Sequence, residues 1–260
     1  MSAPELSVVV PVHNEAENIA PLVDEIRRAL LDTERFEIVV VDDQSTDGTA
    51  ERLESCAQAT PELRIVRLER NVGQSTAIHV GVRYARAPLI ATLDGDGQND
   101  PADIPALVDR YRATPHNEEL LITGHRTLRR DTLTARAASR MANAVRALIL
   151  KDRTPDTGCG LKVFGRDLFL ALPYFDHMHR FLPALVLRAG GRVLSVPVHH
   201  RARATGRSHY GIANRLGTGI VDLVGVAWLI RRARTPTAVE HTASAHAIAS
   251  RDDAPRAMRR

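Results

Sequence analysis

Near the middle of the chain, Leu89–Pro101 reads LIATLDGDGQNDP. Two carboxylates, Asp94 and Asp96, stand one glycine (Gly95) apart, and Gln98 follows. Carboxylate and amide oxygens are hard ligands, and such a trio suits Mg²⁺ or Mn²⁺ with positions left open for phosphate oxygens. The residues before them, Leu89–Leu93, form a short apolar run that reads as a buried strand. Behind them Gly97, Asn99, Asp100 and Pro101 end regular structure. The loop thus leaves the mouth of a strand, where open α/β sheets place their ligands. Other readings compete. A solvated acidic turn has the same composition. An EF-hand loop calls for Gly at its sixth position and Glu at its twelfth, where this chain has Asn99 and Pro105. A phosphatase-type aspartyl nucleophile uses the first strand and a downstream lysine. Here three strand-like runs come first, and Lys151 and Lys162 are the only lysines.

The elements that must carry this loop alternate. Leu6–Val12 is an apolar run with His13, Asn14 and Glu15 at its mouth, and Asn14 is expected to cap a helix over about Ala16–Leu31. Glu37–Val41 is the second run, ending in Asp42 and Asp43, with Thr46 or Asp47 capping a helix to about Ala59. Leu63–Leu68 is the third, and Asn71-Val72-Gly73 opens a helix through Tyr84. Strand and helix joined by short loops predict a doubly wound, mostly parallel α/β sheet. That topology gathers His13/Glu15, Asp42/Asp43 and Asp94/Asp96/Gln98 at one edge, the place of a nucleotide crevice. Neither GxxxxGK[ST] nor GxGxxG occurs, so a P-loop and the usual dinucleotide fingerprint are excluded.

Bulk composition sets the frame. The 260 residues, 44% hydrophobic and 25% charged, suffice for one large globular domain. Two cysteines give no disulfide framework and predict a reducing compartment. The N-terminus runs straight into a strand, so no secretory signal is expected. The net charge of +4 conceals segregation: residues 1–119 hold 11 Arg/Lys against 22 Asp/Glu, and residues 120–215 hold 17 against 5. An acidic half beside a basic half fits a metal site facing phosphate-rich partners. Nucleic acid is not expected, because 4% aromatic content offers few stacking platforms and no DNA-binding motif spacing is present.

The stretches VVVPVHNEAENI (8–19), VVVDDQSTDGTAE (39–51), NVGQSTAIHVG (71–81), LDGDGQNDP (93–101), GHR (124–126), DTGCGLKVF (156–164), HRF (179–181) and GRSHY (206–210) together resemble a family. It is that of the GT-A fold, family 2 glycosyltransferases, and within it the polyprenyl-phosphate glycosyltransferases typified by dolichol-phosphate mannose synthase. The resemblance spans residues 6–215 and implies a GT-A (Rossmann-like) domain over 1–211. It further implies metal-dependent, inverting transfer from GDP-mannose or a UDP-sugar to a polyprenyl phosphate such as undecaprenyl or dolichyl phosphate. By that resemblance Pro11, His13, Glu15, Val41 and Asp43, with Asp94 and Gly95, hold the donor nucleotide. Asp94, Asp96 and Gln98 hold the metal. His13 departs from the family's usual Tyr, which leaves the base open.

The basic half supplies the acceptor side. Leu120–Gly124 reads as a strand, followed by Arg126, Arg129 and Arg130 and by a helix over about Thr134–Leu150, where Arg136 and Arg140 share a face. Residues 199–210, HHRARATGRSHY, read as a hinged loop whose Arg203 and Arg207 close over phosphates. Asp96, Arg126, Arg203 and Arg207 are thus the expected catalytic groups. Arg126, Arg140, His179, Arg180, Arg203 and Ser208 are the expected acceptor-phosphate groups. Family members that use a hydroxyl acceptor carry an acidic base after the acceptor loop; the matching stretch, His177–Phe181, has no carboxylate later than Asp176. Ile212–Ile230 is apolar nearly all round, broken by Asp222 and by glycines, and ends in Trp228-Leu-Ile-Arg-Arg, which reads as an interfacial helix on an anionic membrane within a 212–234 segment. Burial against the sheet or a homo-oligomer contact are its alternatives. Residues 235–260 have the composition of a disordered tail. The expected location is cytoplasmic, peripheral on the membrane's cytoplasmic face. Three rivals remain at this level: a family-2 enzyme with a hydroxyl acceptor, a nucleotide-sugar pyrophosphorylase, and a non-catalytic nucleotide-sugar-binding module.

Overall fold

The computed structural model describes residues 3–32, 34–126, 146–152, 154–201 and 212–232. The strands are β1 (Leu6–Val12), β2 (Phe36–Asp42), β3 (Leu63–Arg67), β4 (Leu89–Thr92), β5 (Leu120–Arg126), β6 (Lys162–Gly165) and β7 (Arg192–Val198). They form one sheet in the order β3-β2-β1-β4-β6-β5-β7. Only β6 runs against its neighbours, β4 and β5; every other pairing is parallel. The Val-rich runs of β1 and β2 are buried throughout or nearly so, as strands covered on both faces must be.

Two cores flank the sheet because alternate strand residues face opposite ways. Val8, Val10, Ile38 and Val40 meet α1 (Ile19–Leu30), α2 (Thr49–Ala59) and α4 (Ile104–Arg112). Helix α1 turns Ile19, Leu22, Val23, Ile26 and Leu30 inward, an i, i+3, i+4, i+7 stripe. On the other face Val9, Val39, Val41, Ile90 and Phe164 meet α3 (Gln74–Tyr84), α5 (Arg166–Ala171), α6 (Leu182–Arg188) and α7 (Ile212–Arg232). Helix α7 contributes Leu223, Val226, Ala227 and Ile230 to that core. Its other side exposes Val221, Val224 and Trp228. Asp222, the one carboxylate in the apolar run, meets His177 Nδ1 at 3.0 Å. Among the described residues no helix is long and apolar enough to cross a membrane.

Local details differ from the sequence expectations. Helix α1 starts at Ile19, not Ala16, and its N-cap is Asn18. Asn14 is not a cap: with φ of +58°, it accepts from Thr46 N through Oδ1 at 2.8 Å and donates its own amide to Ser45 Oγ at 2.9 Å, locking the first two loops together. Asp47 does serve the start of α2, accepting from Thr49 N at 3.1 Å, while Gly48 occupies the N-cap position. The tail over 235–260 and most of the predicted helix over 134–150 lie outside the described residues.

Candidate active site

The carboxyl ends of β1, β2, β4, β5 and β7 and the start of β6 share one edge, and the loops there enclose a cavity of about 400 Å³. Its wall includes Asp94, Arg126, Asp156, Lys162, His179 and Arg180.

The metal-loop geometry follows from two close approaches. A Cβ on Gly95 would lie 2.6 Å from Val12 Cγ1 and 2.9 Å from the Pro11 carbonyl, so only glycine lets the loop turn over β1. A Cβ on Gly160 would lie 2.2–2.4 Å from the Asp94 carboxyl atoms, so Gly160 cradles that carboxylate. Asp94 Oδ1 accepts from Gln74 Nε2 at 2.8 Å, and Asp96 Oδ1 accepts from Gln98 N at 3.1 Å. Burial, then the negative charge of Asp96, pushes the Asp94 carboxyl up to about 6; Lys162, Arg126 and Gln74 offset part of this. Two adjacent, mutually repelling carboxylates fit a divalent cation, which would remove that repulsion. Among the described residues no cluster of three or more His, Cys, Asp or Glu forms a closed metal cage. Two carboxylates and one amide would leave a bound Mg²⁺ or Mn²⁺ open positions for phosphate oxygens and water.

On the donor side, His13 Nδ1 lies 2.8 Å from the Asp43 carbonyl, which can only accept, so Nδ1 carries a proton. Asp43 is buried and accepts from Val72 N and Gly73 N at 2.8 Å each, fixing the loop that enters α3. Glu15 accepts from Asn18 Nδ2 at 2.6 Å. The Val41 side chain is fully buried in the core beneath α3, so it can offer a ligand only its backbone.

On the acceptor side, Asp156 grips Arg126 at Nε and a terminal nitrogen at 2.7 and 2.8 Å, and that pairing holds the guanidinium charged. Arg126 therefore reaches the cavity already paired, where the sequence led one to expect an unencumbered phosphate ligand. Arg146 turns inward, donating to Thr157 and to the Thr154 carbonyl. His179 Nδ1 sits 2.6 Å from Ser75 Oγ, and that oxygen already accepts from His179 N at 3.2 Å. A hydroxyl has one hydrogen and two lone pairs, so this contact fits either tautomer of the ring. Burial, with Lys162, Arg180 and His177 as neighbouring cations, drives the His179 pKa well below its ordinary value. Arg201, expected in the basic loop, is turned away to Asp100 and Glu25 at 2.7 Å each. Arg140, Arg203, Arg207 and Ser208 lie outside the described residues. Sequence reasoning missed Gln74, Ser75, Asp156, Gly160 and Lys162. The stretches 71–81 and 156–164 contain all five, but polar residues spaced along a turn do not reveal what they face.

Comparison with known proteins agrees with this geometry. The model of the family described as glycosyl transferase family 2 matches residues 7–172. Dodecaprenyl-phosphate galacturonate synthase of Rhizobium johnstonii is 38% identical over 237 residues, covering 89% of this chain and 69% of that protein. Undecaprenyl-phosphate 4-deoxy-4-formamido-L-arabinose transferase of Yersinia pestis is 34% identical over 223 residues, covering 85% and 66%. The chain thus spans about two-thirds of the length of these relatives. Among solved structures, a mannosyltransferase from Pyrobaculum calidifontis in complex with GDP-Man and Mn²⁺ superposes with a TM-score of 0.64 at 23% identity, covering 91% of this chain and 67% of that one. Glucosyl-3-phosphoglycerate synthase from Mycobacterium tuberculosis with Mn²⁺, UDP and phosphoglyceric acid gives 0.66 at 19%, covering 90% and 80%. The fold is the mostly parallel, helix-flanked GT-A fold of these enzymes. With its family model spanning most of the chain and its metal-loop carboxylates at the sheet edge, the protein belongs to glycosyl transferase family 2.

Proposed function

We propose that this chain transfers one sugar from a nucleotide-diphosphate donor to a polyprenyl phosphate, with inversion at the anomeric carbon. The observation that carries the acceptor assignment is that, among the described residues, the cavity wall holds no usable base. Asp94 lies beside Asp96 in the same loop, Asp156 is engaged by Arg126, and the basicity of His179 is depressed. Asp176, the one nearby alternative, is exposed, accepts from His177 N at 2.8 Å and is absent from the cavity wall. A sugar hydroxyl would find nothing to take its proton. A phosphate monoester, with a second pKa of about 6, arrives ionised and needs only cations.

In this reading His13, Glu15 and Asp43, with the backbone of Pro11, Val41 and Gly95, frame the nucleoside. Asp94, Asp96 and Gln98 would hold Mg²⁺ or Mn²⁺, which supplies charge neutralisation at the diphosphate. Arg126 and Arg180 meet the acceptor beside His179, and Arg140, Arg203, Arg207 and Ser208 are assigned to the same phosphates. An acceptor oxygen forms the new bond to the anomeric carbon while the carbon–oxygen bond to the diphosphate breaks. The electron pair leaves with the nucleoside diphosphate, and no proton has to move. The exposed Val221, Val224 and Trp228, next to Arg231 and Arg232, support seating on the anionic membrane in which such an acceptor resides, on its cytoplasmic face. The two polyprenyl-phosphate relatives support the same acceptor class.

The test is transfer from a panel of radiolabelled nucleotide sugars, with Mn²⁺, to a short polyprenyl phosphate and to the matching polyprenol. Product with the phosphate alone is expected. Comparable transfer to the free alcohol, stopped by Asp176→Asn, would overturn the assignment.

A further inference from the structure

Lys162 is one of two lysines in the chain, is 3% exposed, and stands on the cavity wall. It pairs in register with Thr92 of β4 and Thr123 of β5, on the sheet face that α3 and α6 cover. That places it on the floor of the cavity, below the loop end that carries Asp94. Its ammonium donates to the Cys159 carbonyl. Among the described residues no carboxylate lies within ion-pair distance of it, because Asp156 is paired with Arg126 and Asp94 faces Gln74 and the metal loop. Burial works against its charge, and the fields of Asp94 and Asp156 reach it without a direct bond from either carboxylate. The ammonium has three donors, so the cavity wall offers an anion a cationic donor.

Three anions enter such a site on the reading above, and size and position separate them. The donor diphosphate belongs with the metal at Asp94, Asp96 and Gln98, at the mouth of the strand. A polyprenyl phosphate trails a long apolar chain, so it presents its phosphate from outside, where Arg180 lies on the acceptor loop. On that reading the donor sugar lies between the two. Thr92, Gln74 and Thr157 line the same wall and offer hydrogen bonds to its hydroxyls. We propose that Lys162 binds a carboxylate on the transferred sugar, so that the donor is a nucleotide-diphosphate hexuronate and not a neutral hexose. This rests on the glycosyltransferase reading and extends it to the class of sugar.

The test compares kcat/KM for matched donors, UDP-galacturonate with UDP-galactose, UDP-glucuronate with UDP-glucose, and GDP-mannuronate with GDP-mannose, using one short polyprenyl phosphate. The wild-type protein should favour a uronate by about ten- to a hundredfold, the value of one charge-assisted bond. Lys162→Met should bring that ratio close to one, and Lys162→Arg should keep part of it, with the acceptor KM unchanged in both. The wild-type ratio needs no variant, so a poorly folding Lys162→Met leaves the test intact. Equal use of neutral and acidic donors overturns the inference but leaves the transferase reading standing. So does a Lys162→Met variant that keeps the ratio and raises only the acceptor KM, which would give the lysine to the acceptor phosphate. Absence of transfer from every donor removes the transferase reading and this inference with it.

Discussion

Replacing Asp94 by Asn should make the metal-free protein more stable and the metal-loaded protein less so. The carboxyl sits against Gly160 with Asp96 as its charged neighbour, and its pKa is raised from 3.8 to about 6. A raised carboxylate pKa means that the folded state holds the proton more tightly than the unfolded chain. The ionised group therefore costs stability as pH rises from about 4 to above 6, and the cost is complete at neutral pH. The shift corresponds to about 3 kcal/mol, reduced to about 2–3 where water reaches the carboxylate. Asn keeps the shape and an acceptor for Gln74 but carries no charge. In EDTA at pH 7.5 the Asp94→Asn variant should melt about 4–8 °C above wild type, given the few degrees per kcal/mol typical of a chain this long. The gap should shrink by about half on going to pH 5, because wild-type Asp94 is then largely protonated when folded. Saturating Mn²⁺ with a nucleoside diphosphate should reverse the ranking, since ligand binding stabilises only the chain that binds it. Thermal melts in those three buffers give the answer. A variant less stable than wild type in EDTA, or a gap independent of pH, would refute the electrostatic account of this loop.

Other perturbations probe the remaining parts. Asp96→Ala should abolish metal-dependent donor binding, measured by calorimetry, while the urea midpoint moves little, because a half-buried loop carboxylate with one backbone hydrogen bond contributes little to stability. Gly160→Ala forces a methyl into the Asp94 carboxylate, so kcat/KM should fall about a hundredfold or more with an unchanged circular dichroism spectrum; wild-type activity would remove the cradle argument. Asp156→Ala leaves Arg126 buried without its partner and should cost about 3–5 kcal/mol in urea unfolding, with Asp156→Asn milder. Trp228 fluorescence should shift blue on adding anionic vesicles and much less on adding neutral ones at high salt; a spectrum indifferent to both would end the membrane assignment.

The parallel half of the fold was legible because its signals are local. Buried Val runs, helix-period stripes and short polar loops over residues 6–112 each state their own element, and topology then brings Asp43 and Asp94 to one edge. The antiparallel insertion of β6 between β4 and β5 was not legible, since four residues of strand carry too little pattern to declare a partner. That insertion is what brings Lys162 and Gly160 beneath Asp94. The pairing of Arg126 with Asp156 was hidden for a related reason: a basic residue read alone looks available, and only the fold reveals the carboxylate 30 positions away that takes its fork. Helix α7 was divided between lipid and core readings in the sequence; the structure buries one face in the core and leaves Val221, Val224 and Trp228 exposed on the other.

Four residues at the start of α3 hold these parts in one geometry. Gly73 N donates to Asp43, on the nucleoside side. Gln74 donates to Asp94, in the metal loop. Ser75 meets His179 and Thr76 meets Tyr174, both in the acceptor segment, at 2.6 and 2.7 Å. Successive helical positions point about 100° apart, so consecutive side chains at a helix start fan outward and reach loops that would otherwise share no contact. The same acceptor segment reaches α7 through His177 and Asp222. Helix α7 is thus tied to the Asp94 carboxylate through His177–His179 and the first turn of α3. The donor and acceptor loops are therefore positioned by one element, and a polar side chain lost from that turn would disturb both substrates together.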